Sequence, residues 1–540
     1  MPSAHTPLRV QVATFNFNLQ GAKDPFPDLQ PLLIPTLSES RREYNASSLS
    51  SGREAPDIYA VGFQELLPLH EGFADSLAAQ EVRAHTVREI KRALRPHAGV
   101  TRPDGMYPPG GGPEDYTLLG EAHLVSISLF VFGRDRAGIP SRVKEVRTST
   151  AAAGVFNLLG NKGGVGVRLV MQTALQGKES NLTLEDSREV LTFVCAHLAA
   201  HDHMSPRRNE DFKTIVSRLA FPPSSAQPLP VVSDAGALPN LRTGGDTSKL
   251  QEKYDADRAT QSERKRLAKR GVQAAVDGKT HGLYDAHHVF FFGDLNYRLD
   301  LGGGAGAGEK EQGQLTKEDV SKKVASKDFA SLVPHDQLTI NKKQGKVLQG
   351  MTEVDLKDAA FGPTYKFKPI RGKAATAAAA GDDKTKNAGK GDELSPKRVP
   401  GWPDRILWAS VGKENDELQG LNVELYRSIM SYTISDHKPL TLLASLPSLP
   451  SSTQALLSNR SPYPLSSSWQ SSRTLGIALD RLVGYIWSTL VLLGAGKLLL
   501  GAAEVAVLAV LGAWYLSSGA AAGGGGGDLG YWLGSLSGRP

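Results

Sequence analysis

The sequence predicts an α/β sandwich whose sheets are covered on both faces and whose working groups gather at strand ends. Three observations predict it. Residues 58–63 (IYAVGF) and 289–292 (VFFF) are continuous apolar runs, short and rich in β-formers, as expected of fully buried strands. Acids, amides, histidines and arginines cluster where such runs end. The 540 residues exceed one ordinary domain, yet glycine-rich and charged interruptions let a single sandwich with insertions absorb most of the length.

The stretch 289–300 (VFFFGDLNYRLD) organises the rest. Gly293 lets the chain turn as the strand ends, and alternation puts Asp294 and Asn296 on one side. A carboxylate that takes a proton then sits beside an amide that donates to an oxyanion, with the Tyr297 phenol and Arg298 guanidinium close behind. That pairing suits hydrolysis by activated water. Alone, Asp-Leu-Asn after a strand reads as a turn; its company elsewhere in the chain argues for chemistry.

The first strand, near residues 10–15, ends at Asn16. The second ends at Gln64 and Glu65, and a carboxylate bordering the buried layer makes Glu65 the best single candidate ligand for Mg²⁺, a hard cation that takes one or two carboxylates plus water and phosphate. Residues 118–132 predict two more strands. Asn161 and Lys162 then open a glycine turn, NKGGVGVRL, through which backbone can approach a ligand. The strand LTFVCAH ends at His197, and Arg207, Arg208 and Asn209 follow at the start of a helix. The segment PTYKFKPIRGK offers Tyr365, Lys366, Lys368, Arg371 and Lys373, a patch suited to phosphate groups. Two further strand-like segments carry Asp404 with Arg405 and Asp436 with His437, from which an Asp–His pair can be assembled across neighbouring strands.

Three segments read as flexible insertions: 221–285, with an exposed basic helix in QSERKRLAKRGVQ, 301–330, and 372–397. The net charge of +6 fits an anionic partner without selecting one. The single cysteine, Cys195, sits in an apolar run and reads as an inert core residue of a reducing compartment. The first residues lack an apolar signal region, so the catalytic part is expected in the cytosol.

Eight segments in order, FNFNLQG, FQELLPL, NKGGVGVRL, AHLAAH with RRNEDF, FFFGDLNYRLD, PTYKFKP, PDRILW and SDHKPL, resemble the inositol polyphosphate 5-phosphatases of the endonuclease/exonuclease/phosphatase superfamily. Pro403 departs from that pattern, where Cys is common before Asp-Arg, and so does Phe17. The resemblance implies a four-layer α/β/β/α sandwich of the DNase I-like kind. It implies that Asn16 and Glu65 hold Mg²⁺, with Asp436 contributing to the metal or histidine environment. Asp294 would activate water, Asn296 would orient it, Asp404 would orient His437, and His197, Asn161 and Lys162 would contact the reacting phosphate. Tyr365 and Lys366, supported by Arg405, would recognise a neighbouring 4-phosphate, with Arg208, Asn209, Tyr297 and Arg298 as further substrate-side residues. The implied substrate is a phosphoinositide, foremost phosphatidylinositol 4,5-bisphosphate, with the 3,4,5-trisphosphate lipid and soluble inositol polyphosphates as further candidates.

After a catalytic domain at 1–447, residues 448–480 are Ser/Pro-rich at first and read as a linker. Residues 481–516 read as a membrane segment and 517–540 as a Gly-rich tail. An apolar helix over 482–516 would be about 50 Å long against a hydrocarbon core of about 30 Å, so only part spans. The favoured span is 498–516, with Lys497 at the cytosolic interface and Trp514 and Tyr515 at the far one. Glu504 inside it would cost about 2.5–3.5 kcal/mol, which leaves an earlier window from Leu482, or a hairpin, open. Arg473, Arg481 and Lys497 precede the segment and only Arg539 follows, the layout of a tail-anchored protein. It resembles fungal 5-phosphatases of the endoplasmic reticulum. A nuclease of the same superfamily and a silent phosphoinositide binder are the rival readings; the lysine-rich and glycine segments argue against the first, so no nucleic-acid partner is expected, and the retained acids and histidine argue against the second.

Overall fold

The computed structural model describes residues 7–18, 26–34, 55–95, 115–172, 188–223, 278–302, 315–357, 361–370, 393–395, 398–411, 420–447 and 456–492. The alternating and continuous apolar runs form two sheets. Strands β1 (Arg9–Asn16), β2 (Ile58–Gln64), β3 (Tyr116–Leu124), β4 (Ile127–Arg134), β10 (Asn422–Ser428) and β11 (Leu440–Ser445) make one, in the order β10-β11-β1-β2-β4-β3. Strands β5 (Val143–Ala152), β6 (Gly163–Gln172), β7 (Arg188–His197), β8 (His288–Asp294) and β9 (Asp404–Ser410) make the other, in sequence order.

The sheets pack face to face. Val10, Val12, Ile58, Ala60, Leu129 and Val131 of the first meet Val167, Leu169, Phe193, Cys195, Phe290, Phe292 and Ile406 of the second. Apolar residues on the outward side of each strand bury against helices. Phe15, Val61, Phe63 and Phe130 pack under α2 (Leu77–Leu94), which follows the short α1 (Leu69–Ala74), and Val194, Phe291 and Val289 pack under α3 (Ser205–Arg218). The layering is therefore α/β/β/α. β1 and β2 run parallel, as do β7 and β8, and these are the strands whose ends carry the polar clusters.

Two expected insertions are narrower than the composition suggested. Phe221, Leu283 and Tyr284 are buried in the core under α3, and Phe221 and His281 exchange both backbone hydrogen bonds, at 2.7 and 3.0 Å. Residues 317–325 form α4 (Lys317–Ala325), started by a Thr316–Asp319 capping box, and Val320 anchors it in the inter-sheet core. The basic segment at 261–273 and most of 372–397 lie outside the described residues.

The C-terminal part corrects the reading of 448–480 as a linker. Leu457 is buried and its N–H donates to Ala286 O at 2.9 Å, and Ser466 N–H donates to Ser217 O at 2.7 Å. A short α5 (Gln337–Lys343) precedes, and α6 (Trp469–Leu492) closes the described chain. Leu479, Val483 and Trp487 of α6, at helical spacing, pack on Phe73, Val125, Val155 and Leu159. Residues 482–492 thus belong to a helix held against the domain, and the rest of a window starting at Leu482 lies outside the described residues. Among the described residues no helix is long and apolar enough to cross a membrane. The favoured span at 498–516 lies outside them.

Candidate active site

Sheet register builds the site. Gly163 of β6 is paired with His197 of β7, His197 with Asp294 of β8, and Asp294 with Asp404 of β9, so four strands deliver their end residues in one row. From the facing sheet, β1 delivers Asn16 and β2 delivers Gln64, paired with each other, followed by Glu65. Gly293 makes the row possible: at φ 140°, a Cβ there would lie 1.9 Å from Ala196 O. Glu65 and Asn296 themselves take left-handed φ values of 50° and 59°, the local strain often held at working sites.

Asp294 is the centre. Its Oδ2 accepts from Asn16 Nδ2 at 2.9 Å and its Oδ1 from the Asn296 N–H at 3.0 Å. Nε2 of His197 lies 3.4 Å and Nε2 of His437 3.7 Å from Oδ2. Burial alone would raise this carboxyl, but the His437 charge, the His197 contact and Arg298 hold it well below the usual range, so it is an ionised acceptor.

His437 and His197 are opposites. Burial would lower His437, but Asp404, whose Oδ2 is 3.0 Å from His437 Nδ1, and then Asp294 raise it to about 10. Burial and the Lys162 charge lower His197, whose Nε2 is 2.6 Å from Lys162 Nζ. One imidazole is charged and the other neutral. Burial in turn lowers Lys162, against the pull of Glu65 and Asp294. Thr364 donates to Asp404 Oδ2 at 2.7 Å, and burial raises the Asp404 carboxyl despite its histidine.

On the other flank the Arg298 guanidinium lies 4.0 Å over the Tyr365 ring, whose centroid is 4.6 Å from that of His437. Nε and Nη1 of Arg298 and Nδ1 of His197 are buried without a partner among the described residues. Such groups cost free energy until an acceptor or water reaches them.

The structure brings these expected residues together and turns several others toward the scaffold. Arg208 is spent on carbonyls: Nη1 donates to Ala199 O at 3.0 Å and His201 O at 2.7 Å, and Nη2 donates to Gln337 Oε1 at 2.5 Å. Asn209 accepts from Tyr297 Oη at 2.6 Å and donates to Asn341 at 2.7 Å. Arg405 is buried between Asp336 (2.9 Å) and Glu353 (2.7 Å). These four hold the loops behind the row. Asn296 is also committed, donating to Leu198 O at 3.0 Å and accepting from Arg298, so it fixes the Asp294 loop. The Asn161 oxygen packs against Gly154. Thr364 and Ser435 were missed; the Ser435 hydroxyl donates to Asn16 O at 2.7 Å and accepts the His437 N–H at 3.1 Å.

Asp436 pairs with Lys366 at 2.8 Å, which raises the lysine despite its partial burial, and its charge also reaches His437. Asp294, Asp404 and His437 form a compact acid–histidine group whose ligand atoms lie within 4.8 Å of one another, in reach of a shared metal ion, with Nδ1 of the imidazole bound to Asp404. The oxygen donors that fit a hard divalent cation are Glu65 and Asn16. The Glu65 side chain is 29% exposed, and its carboxylate is 3.8 Å from His197 Nε2, too far for a hydrogen bond.

Residues 13–443 match the model of the endonuclease/exonuclease/phosphatase family 2. The chain belongs to that family. Its similar curated relatives include the mouse type II inositol 1,4,5-trisphosphate 5-phosphatase, 25% identical over 434 residues covering 80% of this chain and 29% of that one. Human synaptojanin-1 is 24% identical over 406 residues, 74% of this chain and 18% of that one. This family member thus spans less than a third of the length of either. Among solved structures, the inositol polyphosphate 5-phosphatase domain of SPsynaptojanin, in complex with inositol (1,4)-bisphosphate and calcium ion, matches 91% of this chain and 93% of its own at 21% identity and a TM-score of 0.48.

Proposed function

We propose that this chain is a phosphoric monoester hydrolase that removes the 5-phosphate of phosphatidylinositol 4,5-bisphosphate, with Mg²⁺, at a membrane surface. The observation that carries the reading is the surround of Asp294: an ionised carboxylate within 3.4 and 3.7 Å of two imidazoles, one charged and one neutral. Asp294 orients the attacking water and takes its proton. The His437 imidazolium, fixed by Asp404, stabilises charge growing on a phosphoryl oxygen, and Lys162 and Arg298 add fixed positive charge. Lys366 and Tyr365, on the flank beyond His437, suit a neighbouring phosphate. Glu65 and Asn16 would hold the cation, which supplies neutralisation of phosphate charge when bound.

The names of the relatives support 5-phosphate chemistry on inositol phosphates, and the apolar run at 498–516 supports action at a membrane with the catalytic domain on the cytosolic side; the endoplasmic reticulum as that membrane rests on the resemblance to fungal 5-phosphatases alone. The test is phosphate release from vesicles carrying phosphatidylinositol 4,5-bisphosphate, with Mg²⁺ or EDTA and with the product's phosphate positions assigned. The reading requires Mg²⁺-dependent appearance of the 4-monophosphate that is abolished in Asp294→Ala. Release of the 4-phosphate, or none from any phosphoinositide by folded protein, overturns it.

A further inference from the structure

We infer that α6 is a working part of the catalytic apparatus, and that Asp480 is a positioning residue which sets the turn carrying Lys162. The inference rests on the hydrolase reading for what the turn does, but not for whether α6 holds it.

Gly476, Asp480 and Gly484 recur every four residues and so share one face of α6. Each meets the domain at backbone distance. A Cβ on Gly476 would lie 2.6 Å from Leu158 O, and one on Gly484 would lie 2.1 Å from Ala74 N. Between them, the Asp480 side chain is 6% exposed and its Oδ1 accepts the Gly160 N–H at 2.9 Å. Arg481 secures the next residue through Asp75 at 2.7 Å.

The contact falls on a critical place. Gly160 stands two residues before Lys162, whose Nζ touches His197. The turn is pinned from inside by Gly154 N–H to Leu159 O at 2.9 Å and Ala153 N–H to Lys162 O at 2.8 Å. From outside, Arg207 and Arg218 of α3 donate to the carbonyls of Ala153, Gly154 and Asn157 in its first half, and Asp480 grips the Gly160 N–H in the half that leads into Lys162. A Cβ on Gly160 would lie 2.7 Å from Asp480 Oδ2 and from side-chain atoms of Leu124 and Val125, so helix and turn are fitted to each other. A helix used only for covering apolar surface would not bury a carboxylate on a backbone amide, since a buried acid with a single donor is costly. Burial indeed pushes Asp480 up to about 7, with only the Gly160 hydrogen bond opposing.

The experiment uses the full chain in detergent micelles, with Asp480→Ala, Asp480→Asn and Gly484→Val beside wild type. Two measurements are made: amide hydrogen exchange over residues 155–163, and kcat and KM on soluble inositol 1,4,5-trisphosphate. Asp480→Ala is expected to speed exchange at Gly160 and its neighbours by about tenfold, the size of one lost buried hydrogen bond, and to lower kcat by a similar factor. Asp480→Asn keeps an oxygen acceptor and restores both. Gly484→Val lifts the helix without touching Asp480 and repeats the Asp480→Ala pattern, which serves if that variant fails to fold. Wild-type exchange at Gly160 in both Asp480→Ala and Gly484→Val overturns the inference, as does faster exchange with unchanged kcat. If wild type itself releases no phosphate, the hydrolase reading fails, and exchange still decides whether α6 holds the turn.

Discussion

The Nδ1 of His437 lies 3.0 Å from Asp404 Oδ2, and both side chains are almost wholly buried. Their strands lie in different sheets: Asp404 opens β9, and His437 lies just before β11. The pair therefore ties the two layers together at the point where chemistry is expected.

Asp404→Asn keeps the shape and removes the charge that holds His437 protonated. In wild type the imidazolium, raised to about 10, carries activity well into alkaline pH. In the variant the alkaline limb of kcat should move down toward neutrality, with a loss at pH 8 of about 10²-fold, a usual size for one positioned charge or donor. A pH–rate profile checks it, and an unshifted limb refutes the role given to Asp404.

The same groups predict how folding stability depends on pH. His437 has a folded value raised from 6.5 to about 10, so its contribution is complete below pH 6.5 and is lost as pH rises toward 10. Asp294 is depressed below 3.8, so its contribution is present above that and is lost in stronger acid. Urea unfolding between pH 3 and 10 should give a plateau between these limits, and His437→Gln should flatten the alkaline side.

Arg405→Leu should unfold the protein more easily without touching substrate binding. It leaves the buried Asp336 without its cation, while the half-buried Glu353 keeps Lys342 at 3.1 Å, and breaking a buried pair from one side costs about 3–5 kcal/mol. Denaturant midpoints should fall while KM of the folded fraction stays level. A raised KM with wild-type stability would return Arg405 to the substrate side.

Removing divalent metal with EDTA should abolish turnover, and Glu65→Gln should raise the Mg²⁺ concentration for half-maximal rate by at least about tenfold, since it deletes a charged oxygen ligand. A Mg²⁺ titration of both proteins decides this, because a merely structural Glu65 would lower the ceiling and leave the midpoint in place.

Cys195 should resist alkylation in the native protein at pH 8 and react in full once unfolded. Burial pushes its thiol up to about 12, only partly opposed by the Gln64 amide, which donates to the sulfur at 3.1 Å.

The centre of the site was legible because strands announce themselves by composition and their end residues are fixed by register: His197, Asp294 and Asp404 were each read at a strand terminus and are paired in the sheet. Direction was not legible. Tyr297 and Arg405 are next in sequence to Asn296 and Asp404, and Arg208 lies in the helix after His197, but alternation and the helix turn aim them at the scaffold, and their partners Asn209, Asp336, Glu353 and Gln337 come from distant segments. Composition misled at the C-terminus. Ser and Pro signalled a linker, while the deciding pattern was two glycines and an acid at fourfold spacing, whose meaning depends on what they touch.

The Phe221–His281 bridge has a mechanical meaning for the long excursion it closes. The chain leaves and re-enters through one doorway two hydrogen bonds wide, and Arg147 clasps both of its sides, donating to Phe221 O at 3.2 Å and to Lys279 O at 2.5 Å. That doorway precedes the start of β8 at His288, and the strand then runs to Asp294, about 20 Å away at about 3.3 Å per residue. The doorway is thus separated from Asp294 by the whole length of a buried strand paired on both sides.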